Sequence, residues 1–235
     1  MAVGSWPAGD PRRVGAAGVR GRAGRPVPAE DGRAITATVF EPSQRPAPAV
    51  VLVPMLGRPH EDWDAVGQRL ADANILALAI DLPGSSDPGD SKVLSGWSAD
   101  VRAAVSFLSS RPEVRVGTIG IAGASLGASL AALAAADLPS VRSLALISPS
   151  LDYRGVRIEA AMKRYGGRPA LLIASSHDPH AARTVRELAK DPPGRRETRV
   201  FGSRCARHRV ARPRPGHRPR AGGLVPVHAG PVTVD

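Results

Sequence analysis

The sequence predicts an α/β protein built on a doubly wound, mostly parallel sheet. Short apolar runs alternate along the chain with segments in which apolar residues recur at the spacing of an α-helix. Most of these runs are apolar throughout, as strands that are covered by helices on both faces must be. Regular alternation of strands and helices is typical of a parallel sheet with helices packed on both sides.

The apolar runs predict the strands, and helical spacing between them predicts the helices. In chain order the strands are Ile35–Phe40, Ala49–Val53, Ile75–Ile80, Thr118–Ala122, Val141–Ile147 and Ala170–Ala174. The first of these alternates between apolar and polar residues, whereas the others are continuous runs. The helices cover about residues 63–73, 97–110, 128–136, 156–165 and 179–190.

Length and composition predict one folded domain. The chain has 235 residues, of which 43% are hydrophobic, and this is enough for one domain with a sizeable core. Its single cysteine, Cys205, excludes an internal disulfide. No apolar run reaches the roughly 18 residues of a membrane-spanning helix, so we expect no membrane partner and a cytoplasmic location. The oligomeric state is left open.

The net charge of +11 is concentrated in two flanking segments. Residues 1–26 carry five arginines and residues 195–220 carry ten, whereas residues 27–194 hold 17 basic and 18 acidic residues. A neutral body with basic ends is not a basic binding face, so no nucleic-acid partner is expected. A nucleic-acid-binding role of the Arg-rich end is a rival hypothesis, under which affinity falls steeply with salt.

Composition also divides the chain into three parts. Residues 1–26 mix Gly, Ala, Pro and Arg without any period, which predicts a disordered N-terminal extension. Residues 27–201 carry the alternation of strands and helices and predict the folded domain. Residues 202–235 are rich in Arg, Pro and Gly and predict a disordered tail, because their apolar surface is too small to offset the entropy of ordering.

The segment Gly123-Ala124-Ser125-Leu126-Gly127 fits the pattern Gly-x-Ser-x-Gly. It follows a predicted strand and opens a predicted helix, as a nucleophile elbow does. In such an elbow a tight turn exposes the serine hydroxyl at the carboxyl end of the sheet, and only small neighbours fit. Ser125 is therefore the candidate nucleophile. The alternatives are an ordinary glycine-rich turn and a phosphate-binding turn.

Four motifs together resemble those of the α/β-hydrolase family, most closely its small dienelactone-hydrolase-like branch. They are Val50–Gly57, Asp81–Gly84, the Ser125 turn, and Leu171–Ala174 leading to His177-Asp178-Pro179. The resemblance covers about residues 27–200. It implies the α/β-hydrolase fold, with a short insertion at about residues 149–168 in place of a large lid, and a reaction that needs no cofactor.

The resemblance assigns the nucleophile and the oxyanion hole. Ser125 matches the nucleophile, which needs a base within hydrogen-bond reach. The backbone amide of Leu126, at a helix N-terminus, matches one oxyanion donor. The second donor comes from the loop after the strand Ala49–Val53, where Leu56 is the first choice and Met55 the next.

The resemblance also assigns the triad acid. Asp178 follows the fifth continuous run and matches the residue that orients the catalytic histidine. Capping of the following helix is the alternative role of Asp178, and Asp152 is the second choice of acid. The cluster His60-Glu61-Asp62 is interpreted as the start of a helix. No cluster has the spacing of metal ligands, so no metal is predicted.

A triad of this family needs a histidine after Asp178. By spacing, His208 is the best candidate, since His180 follows the acid too closely. His217 and His228 lie further along the Arg-rich tail. The alternative for His208 is a solvated histidine in a disordered segment.

A frameshift would explain the unusual tail. Only Lys92, Lys163 and Lys190 are lysines among 32 basic residues, which indicates GC-rich coding DNA. The codons that can encode residues 203–225 also permit a different peptide when they are read one nucleotide forward. This peptide has a histidine turn followed by an amphipathic helix, and it resembles the C-terminal end of proteins of this family. We therefore hypothesise that a frameshift near Gly202 replaced the last helix of the fold and the catalytic histidine, whose codon would overlap those of Ala206 and Arg207. The bases that encode Ala206 and Arg207 test this hypothesis.

The resemblance implies a serine hydrolase that acts on a carboxylic ester, or a similar acyl bond, of a small-molecule substrate. Without a histidine base the hydroxyl of Ser125 is a poor nucleophile, so the chain is inactive if its tail supplies none. A non-catalytic binding protein of the same fold is the second hypothesis.

Overall fold

The structure is a computed structural model that describes residues 22–84, 88–190 and 194–202. The chain divides into two units, Met1–Ser203 and Arg204–Asp235. All of the described residues belong to the first unit, whose centre is an eight-stranded sheet.

Twelve strands are described, and eight of them form the central sheet. The strands are β1 (Arg22–Gly24), β2 (Val27–Pro28), β3 (Ala34–Ile35), β4 (Ala37–Phe40), β5 (Ala47–Val53), β6 (Leu76–Ile80), β7 (Val114–Ala124), β8 (Val141–Ile147), β9 (Asp152–Tyr153), β10 (Val156–Arg157), β11 (Ala170–Ser175) and β12 (Arg196–Phe201). The sheet has the order β1-β4-β6-β5-β7-β8-β11-β12. Two antiparallel pairs, β2 with β3 and β9 with β10, lie outside it.

Six α-helices are described between the strands. They are α1 (Asp64–Asp72), α2 (Ser91–Gly96), α3 (Ser98–Ser109), α4 (Leu126–Asp137), α5 (Glu159–Tyr165) and α6 (Pro179–Lys190). A 3-10 turn, His60–Trp63, precedes α1. Within the described ranges, no helix combines the length and the apolar character that a membrane span requires.

The sheet is mostly parallel, as the sequence predicts. From β6 to β12 each neighbouring pair in the sheet is parallel, and at the other edge β4 pairs antiparallel with both β1 and β6. Val53 lies opposite Gly123, and Ile147 lies between Ala124 and Ile173. The carboxyl ends of four strands therefore meet at one edge, where ligands bind in open α/β sheets.

Helices pack on both faces of the sheet, which confirms the doubly wound architecture. Along β6, Leu76, Leu78 and Ile80 belong to the main core together with α3 and α4. Ala77 and Ala79 point to the opposite face, where they pack with α1. This alternation follows from the period of two residues along a strand.

Part of the α1 face is less well covered than the rest of the sheet. On β8 and β11, Leu144 and Leu172 are buried on the main-core face, whereas Ala145 and Leu171 are only half-buried on the other. A cavity of about 390 Å³ lies over these strands. The predicted loss of the last helix concerns residues beyond 202, which lie outside the described residues.

Two strands at the margins of the sheet are not predicted from the sequence. β1 falls within residues 1–26, so the prediction of disorder is wrong for Arg22–Gly24. β12 is formed by Arg196–Phe201, whose side chains are mostly exposed. Both strands are held by backbone pairing with β4 and β11, and neither has the apolar run that identifies a buried strand.

Burial predicts how α4 contributes to stability. Leu130 of α4 is fully buried, whereas Val116 of β7 is 95% exposed. Replacing Leu130 by Ala should lower the free energy of unfolding by about 2–5 kcal/mol, since a cavity is left in a packed core. The control Val116→Ala should change it by less than about 0.5 kcal/mol. Urea unfolding of both variants measures the difference, and equal values would contradict this placement of α4.

Candidate active site

Ser125 lies in a strained turn between β7 and α4. Its φ of 51° and ψ of −117° are unusual for a residue other than glycine. Such a conformation costs of order 1–3 kcal/mol and persists only where the surroundings fix it. Here the Ser125 amide donates to the carbonyl of Ile147 at 2.9 Å, and its carbonyl accepts from the amide of Ala128 at 3.0 Å. The turn is thus tied to β8 on one side and to α4 on the other.

Two glycines make this turn possible. A Cβ on Gly123 would overlap with the carbonyl oxygen of Gly127, two residues beyond Ser125. A Cβ on Gly127 would overlap with the carbonyl oxygen of Pro54 and lie 2.5 Å from that of Val53. The Gly-x-Ser-x-Gly pattern therefore has a steric cause, because α4 begins in direct backbone contact with the end of β5.

The loop after β5 lies against the start of α4. Pro54 is buried, and the next residues form a turn in which the amide of Arg58 donates to the carbonyl of Met55 at 3.2 Å. Gly57 occupies this turn with a φ of 70°, and Leu56 packs on the main core. We name residues 54–58 the oxyanion loop.

The two predicted oxyanion donors come from adjoining segments. Leu126 is the first residue of α4 and is fully buried. Its amide is among the four at a helix N-terminus that have no partner within the helix, where the helix dipole favours negative charge. Leu126 adjoins Gly127, and Leu56 lies two residues after Pro54, so the backbone contact of Gly127 with Pro54 brings both segments together.

Asp178 follows β11 and begins α6. Its amide donates to the carbonyl of Ser175, and its Oδ1 accepts from the amide of Ala181, each at 3.0 Å. The capping role that the sequence offers as an alternative is therefore present. This contact uses only Oδ1, so it does not exclude a second role for Oδ2.

Ser125 and Asp178 lie at the same edge of the sheet. They follow β7 and β11, which flank β8, and the registers align Ala124 with Ile147 and Ile147 with Ile173. Because neighbouring strands are about 4.8 Å apart, the two strand ends are separated by roughly 10 Å. One imidazole ring between the two side chains would bridge such a gap.

Comparison with known proteins identifies the family. A family model described as the alpha/beta hydrolase family matches residues 50–234. The chain belongs to the α/β-hydrolase family. The resemblance predicted from the four motifs is thereby confirmed. No curated protein matches the chain significantly.

Solved structures of several α/β hydrolases share the fold at low sequence identity. Dienelactone hydrolase from Anabaena variabilis has a TM-score of 0.63 at 16% identity, covering 77% of this chain and 86% of its own. Est1E from Butyrivibrio proteoclasticus has a TM-score of 0.64 at 16% identity, covering 78% of this chain and 89% of its own. The esterase of Pyrobaculum calidifontis has a TM-score of 0.61 at 19% identity, covering 79% of this chain and 77% of its own.

The described part of this α/β hydrolase contains His60, His177 and His180. His60 is 5% exposed, and its ring bonds to Thr38 and Asp81 at the far side of β5 from β7. His177 and His180 are exposed, beside Asp178 and in the first turn of α6. His208, like His217 and His228, lies outside the described residues.

The strand β12 brings the chain to the same edge as Asp178. Phe201 pairs with Ser175, and its carbonyl accepts from the amide of Ser176 at 2.8 Å. The end of β12 therefore lies next to the turn that carries Asp178.

Asp152, the second choice of acid, has a structural role in the insertion between β8 and β11. It lies in the β9–β10 hairpin, where its Oδ1 accepts from the amide of Gly155 at 2.6 Å and its Oδ2 from Nε of Arg157 at 2.9 Å. These hydrogen bonds, that of Arg157 first, hold the pKa of Asp152 below its usual range. Both oxygens of Asp152 therefore take part in the structure of the hairpin.

A buried histidine with two acidic neighbours lies beside the oxyanion loop and is not predicted from the sequence. The 3-10 turn starts at His60, but His60 packs inward and does not cap a helix. His60, Glu61 and Asp81 bring three potential metal ligands within 4.8 Å of one another. The sequence gives one signal for this group, an aspartate directly after the buried strand β6. The group does not form a motif, because His60 and Asp81 are 21 positions apart.

A cavity of about 360 Å³ lies beside the oxyanion loop. Gly57, Arg58 and Pro59 form one wall, and Asp81, Leu82 and Gly84 form the other. It is located at the carboxyl ends of β5 and β6. Ser125 lines neither this cavity nor the one on the α1 face of the sheet.

The contact between Gly127 and Pro54 predicts a strong effect of one added methyl group. Gly127→Ala should destabilise the protein by about 1–3 kcal/mol or more, because backbone atoms on both sides must separate. The matched control is Gly96→Ala, since a Cβ there meets nothing within 4 Å. Thermal unfolding of both variants measures the effect. A Gly127→Ala variant as stable as wild type would contradict the close approach of these segments.

Proposed function

We propose that this α/β hydrolase is a serine hydrolase that cleaves a carboxylic ester, or a similar acyl bond, in a small-molecule substrate. The observation that carries the proposal is the strained backbone of Ser125 at the start of α4, next to the oxyanion loop. A turn of this cost is typical of a functional site. The esterases and the dienelactone hydrolase of the same fold support the reaction class only by analogy.

The geometry suggests how the residues divide the reaction. A histidine base takes the proton of Ser125 Oγ as the oxygen attacks the carbonyl carbon. The amides of Leu126 and Leu56 stabilise the negative charge that develops on the carbonyl oxygen. The histidine then protonates the leaving alcohol, and water releases the acyl group from Ser125 by the same steps in reverse. Asp178 holds the imidazole in position and stabilises its charged form.

We assign the base to His208. It lies seven positions after Phe201, where β12 ends beside the turn of Asp178. The reaction requires no cofactor.

A non-catalytic binding protein is the second candidate. The buried histidine of the described residues, His60, bonds through its ring to Thr38 and Asp81 and not to Ser125 or Asp178. If the tail holds none in place, the hydroxyl is not activated and the cavity can only bind. The two candidates make opposite predictions for covalent labelling of Ser125.

Labelling with a fluorophosphonate tests the nucleophile. Wild type should be labelled at Ser125, and Ser125→Ala should abolish labelling and lower kcat for a short-chain ester by about 10⁶-fold. The control Ser176→Ala, an exposed serine at the same edge, should behave like wild type. Unlabelled wild type that still binds the ester would favour the binding protein.

Histidine and aspartate variants test the rest of the triad. Asp178→Asn should lower kcat by about 10⁴-fold, since an amide favours the wrong tautomer of the histidine. Asn is a good N-cap, so α6 should remain folded in this variant. His208→Gln should lower kcat by about 10⁶-fold, with His217→Gln and His228→Gln as controls. Loss of activity in a control variant instead would move the base to that residue.

A further inference from the structure

His60, two positions after the oxyanion loop ends, is buried, and both of its ring nitrogens are hydrogen-bonded. The side chain of His60 is 7% exposed. Its ring Nδ1 lies 2.9 Å from Oδ1 of Asp81, and its backbone amide donates to the same oxygen at 2.8 Å. On the other side of the ring, Nε2 lies 2.9 Å from Oγ1 of Thr38.

The chemistry of these partners fixes the tautomer. A carboxylate oxygen only accepts, so Nδ1 carries the proton and Asp81 receives two N–H groups of one residue. In the neutral imidazole, Nε2 then accepts from the hydroxyl of Thr38. Charge-assisted hydrogen bonds to a carboxylate are among the stronger ones. His60 is thereby attached to β4 through Thr38 and to the end of β6 through Asp81.

We propose that the His60–Asp81 pair positions the oxyanion loop, an inference that rests on the proposed function. At one end of the loop Pro54 contacts Gly127, and at the other His60 is bonded to Asp81. Only residues 55–59 lie between these two anchors. The amide of Leu56 is therefore held by two fixed points, although Met55 is 42% exposed.

The position of this amide matters for catalysis. An oxyanion donor acts at about 2.7–3.1 Å from the charged oxygen, and its loss costs about 10²–10³ in kcat. A displacement of about 1 Å can cost a factor of about 10². The anchors on Pro54 and His60 thus add to the positioning that Leu56 obtains by packing on the core, because the turn also contains Gly57, which lines a cavity.

Two other roles of His60 fit the geometry less well. As a base, it would have to face Ser125, but its ring partners lie on β4 and β6, and β5 separates these strands from β7. As a metal ligand with Glu61 and Asp81, its Nδ1 would need a free lone pair, whereas the hydrogen bond to Asp81 requires a proton there. The pair is therefore best explained as a clamp.

Variants of Asp81 test the clamp by two measurements. Asp81→Ala removes the acceptor, and Asp81→Asn keeps Oδ1 as an acceptor without the charge. Asp81→Ala should accelerate amide hydrogen exchange in residues 54–58 at least tenfold and lower kcat by about 10²-fold with KM nearly unchanged. Asp81→Asn should keep most of the protection from exchange and most of the wild-type kcat. The control Asp137→Asn, which breaks the exposed ion pair with Arg164 outside this loop, should match wild type.

The two measurements separate the clamp from the proposed function. If wild type neither turns over esters nor labels at Ser125, the proposed function fails, and hydrogen exchange alone still tests the clamp. Unchanged exchange in Asp81→Ala overturns the clamp, as does a rise in KM with unchanged kcat. If Asp81→Ala does not fold, Thr38→Val replaces it, since Val has the same shape without the hydroxyl. Thr38→Val should accelerate exchange and lower kcat less than Asp81→Ala does. If exchange and kcat are unchanged in Thr38→Val, the clamp is overturned.

Discussion

The candidate site depends on one close approach between two backbones. The start of α4 touches the end of β5 because Gly127 has no side chain to separate it from Pro54. This contact places the first amides of α4 beside the oxyanion loop. With a larger residue at position 127, the nucleophile and the loop would belong to separate parts of the edge.

The strain at Ser125 is small compared with the burial around it. The unusual φ costs of order 1–3 kcal/mol. The side chains of Leu126 and Leu130 are fully buried, and each contributes about 1.5–3 kcal/mol. α4 is buried around most of its circumference, so it cannot rotate to relieve the turn without exposing apolar surface. The core therefore holds the serine in a conformation that it would not adopt alone.

The sequence predicts the buried strands well and the marginal strands poorly. β5, β6, β8 and β11 begin and end within two residues of their apolar runs, because burial on both faces requires such runs. β12 pairs along one side with β11, and its mostly exposed positions accept Arg, Glu and Thr. Backbone pairing leaves no mark on composition, so neither β12 nor β1 can be identified from hydrophobic patterns.

The same distinction applies to the site. The Ser125 turn is predictable because its steric requirements fall on five consecutive residues. The bonds of His60 are not predictable, since Thr38 and Asp81 are 22 and 21 positions away and meet it only through the sheet order. Local constraints appear in the sequence as motifs, whereas contacts that the fold creates do not.

Asp178 shows why two roles of one residue need not compete. Capping requires the carboxylate to stay at the first turn of α6, and orienting a histidine requires it to stay at the carboxyl edge of the sheet. These are the same position, because α6 begins directly after β11 at that edge. The bond from the amide of Ala181 to Oδ1 restricts rotation of the carboxylate, and a restricted acceptor loses less entropy when Oδ2 binds an imidazole. The cap would therefore prepare Asp178 for the role that we propose for it in the triad.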